Sequence, residues 1–375
     1  MIIMALDHTR DFFHITGTTE DPLNFETTTP ALFLTRWITH FCAPLFVFLA
    51  GSSAWFQSLR KTKRELSLFL IKRGFWLIFV EIVLVNLFFS FDLTYGLVAL
   101  QTIWAIGISM VFLGLVILLP FPVVAAIGFI IVFGHNILDF YEAKHDRQPI
   151  SFVYDLLHRV NFYPVDKNHN LLILYPFLSW TGLMILGYCF GKLFTSSSPE
   201  QRKKRLLFTG IAVIALFIVL RAINVYGNPE PWQEQKNSVF TVLSFIDTHK
   251  YPPSLMFMCM TIGPGILFLA LIKNTRNRLA RFIIVYGRVP FFYYLAHFLW
   301  IHIIATIVFF ARGHSFAEGI HKTELRPNFV LAGEGFSLPV VYLIWLFVVV
   351  SLYPLCKWYD NYKTAHREKW WLSYL

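Results

Sequence analysis

Hydrophobic residues in this chain come in long unbroken runs rather than in alternating strands or narrow helical stripes. The apolar segments are Met1–Leu6, Trp37–Phe56, Gly74–Phe91, Leu97–Leu119, Phe121–Leu138, Leu171–Phe194, Leu206–Leu220, Pro253–Ile272, Phe282–Ala311 and Leu338–Cys356. Most approach the roughly 20 residues that a helix needs to cross the hydrocarbon core of a bilayer. Two are ambiguous. Pro120-Phe121-Pro122 reads either as a tight turn between two helices or as one kinked segment, and Leu206–Leu220 is short unless Arg221 snorkels to extend it. The pattern predicts an all-α, polytopic transmembrane helical bundle of about ten helices, forming one domain over residues 1–375.

Composition supports that reading. Only 14% of the residues are charged, against roughly a quarter in a soluble domain. The four cysteines, Cys42, Cys189, Cys259 and Cys356, lie inside or at the ends of apolar runs without a CxxC spacing, so they read as packing residues. The net charge of +10 invites a nucleic-acid reading, but its distribution argues against one. Of 32 Lys and Arg, 20 fall in Gln57–Arg73, Lys192–Arg205, Lys273–Arg288 and Lys357–Lys369, opposed only by Glu65, Glu200, Asp360 and Glu368. These regions all face the same side if the helices alternate in direction, as the positive-inside bias requires of cytoplasmic loops. The expected protein is multi-pass in the inner (plasma) membrane, with both termini cytoplasmic and the histidine-rich loops Asp139–Asn170, Val225–Pro252 and Gly313–Ser337 outside.

Met1–Leu6 is too short to span, and neither a basic n-region nor a small-residue cleavage site marks it as a signal peptide. The expectation is that the chain starts partway through its first transmembrane helix. LDHTRDFFH, Leu6 to His14, then sits at that helix's outer end. Asp7, Asp11 and His14 share a face by i, i+4, i+7 spacing, while Asp7 with Arg10 and His8 with Asp11 are i, i+3 neighbours. Histidines beside carboxylates suit general-base chemistry. Solvated charge pairs at a membrane boundary give the same pattern. The ligand types would also suit a metal, but no HExxH-like spacing appears and none is expected.

Three more ionisable residues lie in apolar runs, where their cost makes them functional candidates. His40 precedes Pro44, which lacks the amide that would bond the His40 carbonyl. Glu81 stands among Val, Ile and Leu, either functional or joining helices in protonated form. His297 ends GRVPFFYYLAH. The Gly263-Pro264-Gly265 break requires packing or a cavity lining.

CAPLFVFLAGSSAWF (Cys42 to Phe56) resembles the second-helix signature of the heparan-α-glucosaminide N-acetyltransferase family and its bacterial relatives, where a Pro-aromatic-Val-Phe run ends in Gly-Ser-Ser. GRVPFFYYLAH (Gly287 to His297) is similar to the family's late helix, and LDHTRDFFH to the end of the bacterial branch's first helix. The resemblance covers about a hundred residues well and the rest by topology. It implies a transmembrane acyltransferase that takes acetyl-CoA or another acyl-CoA from the cytoplasm and passes the acyl group to a sugar amine or hydroxyl outside. Its partners would be the lipid bilayer and a glycan acceptor, with no nucleic acid; a homodimer is compatible. His8 occupies the position of the catalytic histidine ending the first helix, with Asp7 or Asp11 as orienting carboxylates and His14 as the other candidate base. Arg10 could polarise the carbonyl. Lys72, Arg73 and Arg288 could hold CoA phosphates, although the positive-inside bias accounts for them as well. The Arg-Gly pair that such families carry upstream in the first helix is absent. Two readings from other classes stay open. A proton-coupled transporter of a small solute would use Glu81, His40 and His297 as a relay and the Gly263 to Gly265 break as its substrate site. A non-catalytic membrane scaffold would need none of them.

Overall fold

The computed structural model describes residues 1–145, 150–272, 277–321, 326–369 and 372. α1 (Ile2–Phe13) continues straight through the polar cluster to His14, whose extended backbone starts a one-residue bridge to Phe336. Gly335 allows that contact, since a Cβ there would lie 2.2 Å from the Ile15 nitrogen. The run Trp37–Phe56 is not a single helix. α2 (Pro30–Thr39) starts with Thr29 capping the Leu32 amide and Pro30 in the first turn. It ends at His40, and α3 (Cys42–Ser58) follows. Pro44 falls in the first turn of α3, where its missing amide costs nothing.

α4 (Lys63–Val80) opens on a capping box between Thr62 and Glu65, so most of the expected basic loop Gln57–Arg73 is helical. A π-helical turn, Glu81–Val85, leads into α5 (Asn86–Ser90). The next run, expected to be one helix, divides into a strand, β1 (Leu97–Leu100), and α6 (Thr102–Val116). α7 (Phe121–Gly134) begins at Pro120, which makes Pro120-Phe121-Pro122 a turn between two helices. α8 (Ile137–Lys144) continues α7 after a 42° bend. α9 (Phe152–His158), β2 (Asn161–Pro164) and β3 (Asn170–Ile173) follow.

The strands correct the all-α expectation. β3 pairs parallel with β1 (Leu97 opposite Asn170) and antiparallel with β2, giving the order β1-β3-β2. Two of the three come from segments whose hydrophobicity reads as the start of a helix. The side chain of Asn86 holds β1 by accepting from the Ala99 amide (2.7 Å) and donating to the Ala99 carbonyl (3.1 Å).

α10 (Leu178–Gly191), α11 (Pro199–Ile223), α12 (Ser238–Ile246) and α13 (Leu255–Leu271) build the middle of the bundle. α13 passes unbroken through Pro264. A Cβ on Gly263 would meet Ile214 and one on Gly265 would meet Leu45, so this stretch is packed between helices rather than lining a cavity. Arg221 does not snorkel outwards. It is buried at the end of α11 and donates to the carbonyls of Phe245, Ser244, Asp247 and Glu230, gathering the segment between α11 and α13 around one guanidinium. Phe282–Ala311 splits into α14 (Arg278–Arg288), with Arg278 and Arg281 on one flank, and α15 (Pro290–Ala311). α16 (Leu338–Ala365) is the longest helix and packs with α15 against α1.

Among the described residues, four stretches are long and apolar enough to cross a membrane: 30–58, 199–223, 290–311 and 338–365. The bent α7–α8 pair makes a fifth. α6, α10 and α13 are apolar but shorter. Large apolar side chains such as Phe208, Ile130, Leu343 and Phe268 are exposed along the helix flanks, as lipid-facing surface requires. The basic regions meet at one end of the bundle. Lys63 donates to the Leu119 carbonyl, Lys192 stacks over Phe121, and Arg288 pairs with Asp360 (3.1 Å). Lys273 and Arg276, counted in the third basic region, lie outside the described residues.

Candidate active site

The helical spacing of LDHTRDFFH brings its charges onto one buried network. Asp7 and Arg10, one turn apart, meet at 3.0 Å, and Arg10 also contacts Asp11 at 2.5 Å. From α2, Arg36 reaches across to the second Asp7 oxygen at 2.5 Å. Arg36 also donates to the Tyr251 hydroxyl (3.3 Å), which lies in the segment before α13. Asp7 and Arg10 are almost fully buried, while Asp11 is half-buried and lines an open groove of about 540 Å³ with Gly17, Thr18, Glu20 and Phe89. Burying two carboxylates is tolerable because two guanidinium groups, with fixed forks of donors, sit against them.

His8 stands apart from these pairs. Its half-buried ring makes no hydrogen bond among the described residues, including to Asp7 or Asp11, whose ion-pair partners are the arginines. It packs at 4.1 Å against Phe298 and 5.2 Å against the ring of His297, both on α15. The charges acting on it are those of Asp7, Asp11, Lys250 and Arg36. His297 is fully buried. Its Nδ1 lies 2.9 Å from the Tyr293 carbonyl, to which it donates, leaving Nε2 as an unpartnered acceptor. The structure thus brings His8 and His297 together from opposite ends of the chain.

The other candidates divide. His40 is buried near the network, against Phe257, with neither ring nitrogen hydrogen-bonded. His14 lies just past α1. Its Nδ1 lies 3.0 Å from the Thr16 hydroxyl, and burial together with the Arg10 charge holds its pKa below the usual imidazole value. Arg73 and Arg288 lie at the basic end of the bundle: the Arg73 charge acts on Lys363, one turn along α16 from Asp360, the ion-pair partner of Arg288. Lys72 is exposed on α4. At the same end an open groove of about 500 Å³ is lined by Arg278, Arg281, Arg288, Tyr353 and Lys357.

Glu81 is in neither group. Fully buried, it accepts from the amides of Ile103 (2.9 Å) and Trp104 (3.1 Å), capping the N-terminus of α6. Those amides have no partner within the helix, and the positive end of the helix dipole favours an acceptor there. Glu81→Gln keeps an oxygen for both donors and should leave fold and activity close to wild type. Glu81→Ala orphans two buried donors, at about 1–3 kcal/mol each, and should lower the melting temperature in detergent. Loss of function in Glu81→Gln at unchanged melting temperature would instead mark Glu81 as a proton-carrying group.

Sequence reasoning did not select Arg36, Lys250 or Tyr251. Arg36 carries a signal, a guanidinium among apolar residues at the start of an apolar run. Lys250-Tyr251 had none, because nothing local says that this segment folds back onto α1. Away from the network, His135 and His158 share a hydrogen bond (3.0 Å) that continues from His158 to Glu142 (2.8 Å). No group of three or more ligating side chains among the described residues could hold a metal.

Residues 1–226 match the family model described as heparan-alpha-glucosaminide N-acetyltransferase, catalytic. No curated protein and no solved structure matches the chain.

Proposed function

The chain belongs to the heparan-alpha-glucosaminide N-acetyltransferase catalytic family, a family of membrane acetyltransferases, and from that premise we propose that it moves an acetyl group from cytoplasmic acetyl-CoA to an extracytoplasmic sugar amine or hydroxyl. The observation that carries the reading is the His8 ring, free of hydrogen bonds among the described residues and half-buried beside a network whose carboxylates are already paired. An imidazole in that state has a nitrogen available to take a proton, while the charges around it are fixed in advance. His8 is the base. As the acceptor nitrogen or oxygen attacks the thioester carbon, His8 takes its proton and then returns it to the departing thiolate.

In this reading Asp7 and Asp11 orient the site through Arg10 and Arg36 rather than by touching His8. His297 and His40 shape the pocket, and His14 lies outside the proton path. Arg73, Arg288 and Lys72 belong to the donor side. Arg288 lines the basic groove with Arg278, Arg281 and Lys357, a lining whose chemistry suits the phosphates of CoA. The bundle spans the inner membrane with about ten helices, some shorter than 20 residues, with its basic end and both termini in the cytoplasm.

The decisive test is transfer across a sealed membrane. Vesicles containing the protein, given acetyl-labelled CoA at the basic face and a glucosamine-terminated glycan at the other, should yield label on the glycan. Proton-linked solute uptake without any acetyl transfer would favour the transporter reading instead.

A further inference from the structure

The charges around His8 do not balance. Arg10 and Arg36 are paired with Asp7 and Asp11, but Lys250, itself only 9% exposed, has no carboxylate partner among the described residues. Lys250 is held in place by local structure. A backbone bridge joins it to Pro253, and its Nζ lies over the ring of Tyr251, 4.9 Å from the centroid. The Tyr251 hydroxyl in turn accepts from Arg36, whose other nitrogen grips Asp7. The lysine charge acts on Asp7, His8 and His40 together. A buried ammonium with no carboxylate in contact is poised for an anionic group that arrives there in the working cycle.

We propose that Lys250 is a further catalytic residue, whose ammonium stabilises the oxyanion formed when the thioester carbonyl is attacked. The inference rests on the acetyltransferase reading above. As the acceptor's N–C or O–C bond forms, the carbonyl π electrons move to oxygen and the acceptor proton passes to His8. When the carbonyl re-forms, the C–S bond breaks and the thiolate takes that proton. Negative charge is greatest on the oxygen between these two events, and a cation fixed in place beforehand acts mainly there.

The experiment compares wild type, Lys250→Met and Lys250→Arg in the vesicle assay, each first shown by melting and size exclusion to be folded. Loss of one such donor typically lowers kcat by about 10²–10³-fold. Lys250→Met should show that loss with the KM for acetyl-CoA and for the glycan within about threefold of wild type, and Lys250→Arg should recover part of kcat. An unchanged kcat in Lys250→Met overturns the proposal. So does a rise confined to the glycan KM, which would make Lys250 a binding group for an acidic acceptor. If wild type itself transfers nothing, the acetyltransferase reading fails; if wild type transfers and Lys250→Met matches it, only this inference fails.

Discussion

His8→Ala should lower acetyl-transfer turnover by about 10²–10⁴-fold, the usual contribution of a positioned general base. Binding of acetyl-CoA should survive, because His8 is not among the residues that line the donor-side basic groove. His8→Gln should not restore the rate. An amide can occupy the space beside Phe298 and make a hydrogen bond, but it cannot take a proton at neutral pH. His14→Ala is the internal control: its ring turns towards Thr16 rather than into the network, so turnover should stay near wild type. Collapse in His14→Ala with full activity in His8→Ala would move the base along the chain. Full activity in both would remove the catalytic site as drawn here. The measurement is single-turnover transfer from labelled acetyl-CoA, read beside donor binding by the same variants.

The second large effect is on stability. Arg36→Met removes the 2.5 Å partner of Asp7 and leaves that buried carboxylate to share Arg10 with Asp11. Breaking one side of a buried ion pair typically costs about 3–5 kcal/mol. A clear drop in melting temperature in detergent is therefore expected, together with loss of turnover as Tyr251 loses the Arg36 donor. Asp7→Asn in the Arg36→Met background should recover much of the stability, since a neutral amide needs no counter-charge. Strict additivity of the two substitutions would mean that the pair does not couple and that the network is held by something else.

The apolar runs gave the membrane class and the location of most helices, because hydrophobicity over 15 residues or more is hard to disguise. Failures occurred where a polar contact outweighs it. The Leu97–Leu100 strand forms because Asn86 and β3 satisfy its backbone; a hydropathy pattern carries no information about that pairing. Glu81 was singled out as costly, but its partners, the amides of Ile103 and Trp104, lie more than 20 residues away in sequence. Local helical geometry was more dependable. The i, i+3 spacing of Asp7 and Arg10 was enough to foresee their contact, whereas Arg36, Lys250 and His297 join the site only through tertiary packing.

That packing has a consequence for how the protein is made. α1 is buried against α15 and α16, and its polar end is tied to Phe336. Residues 2–13 therefore meet their α15 and α16 neighbours only once those helices have left the ribosome. Until then Asp7 and Arg10 have each other and Arg36, but His8 has neither the α15 wall nor the lysine from the segment before α13. A nascent chain that pauses after residue 226 would carry the whole family-matched region and still lack Lys250, Tyr251 and His297. On the proposed mechanism, assembly around His8 waits until α15 has been made, and a product terminated before it should be inert however well its early helices insert.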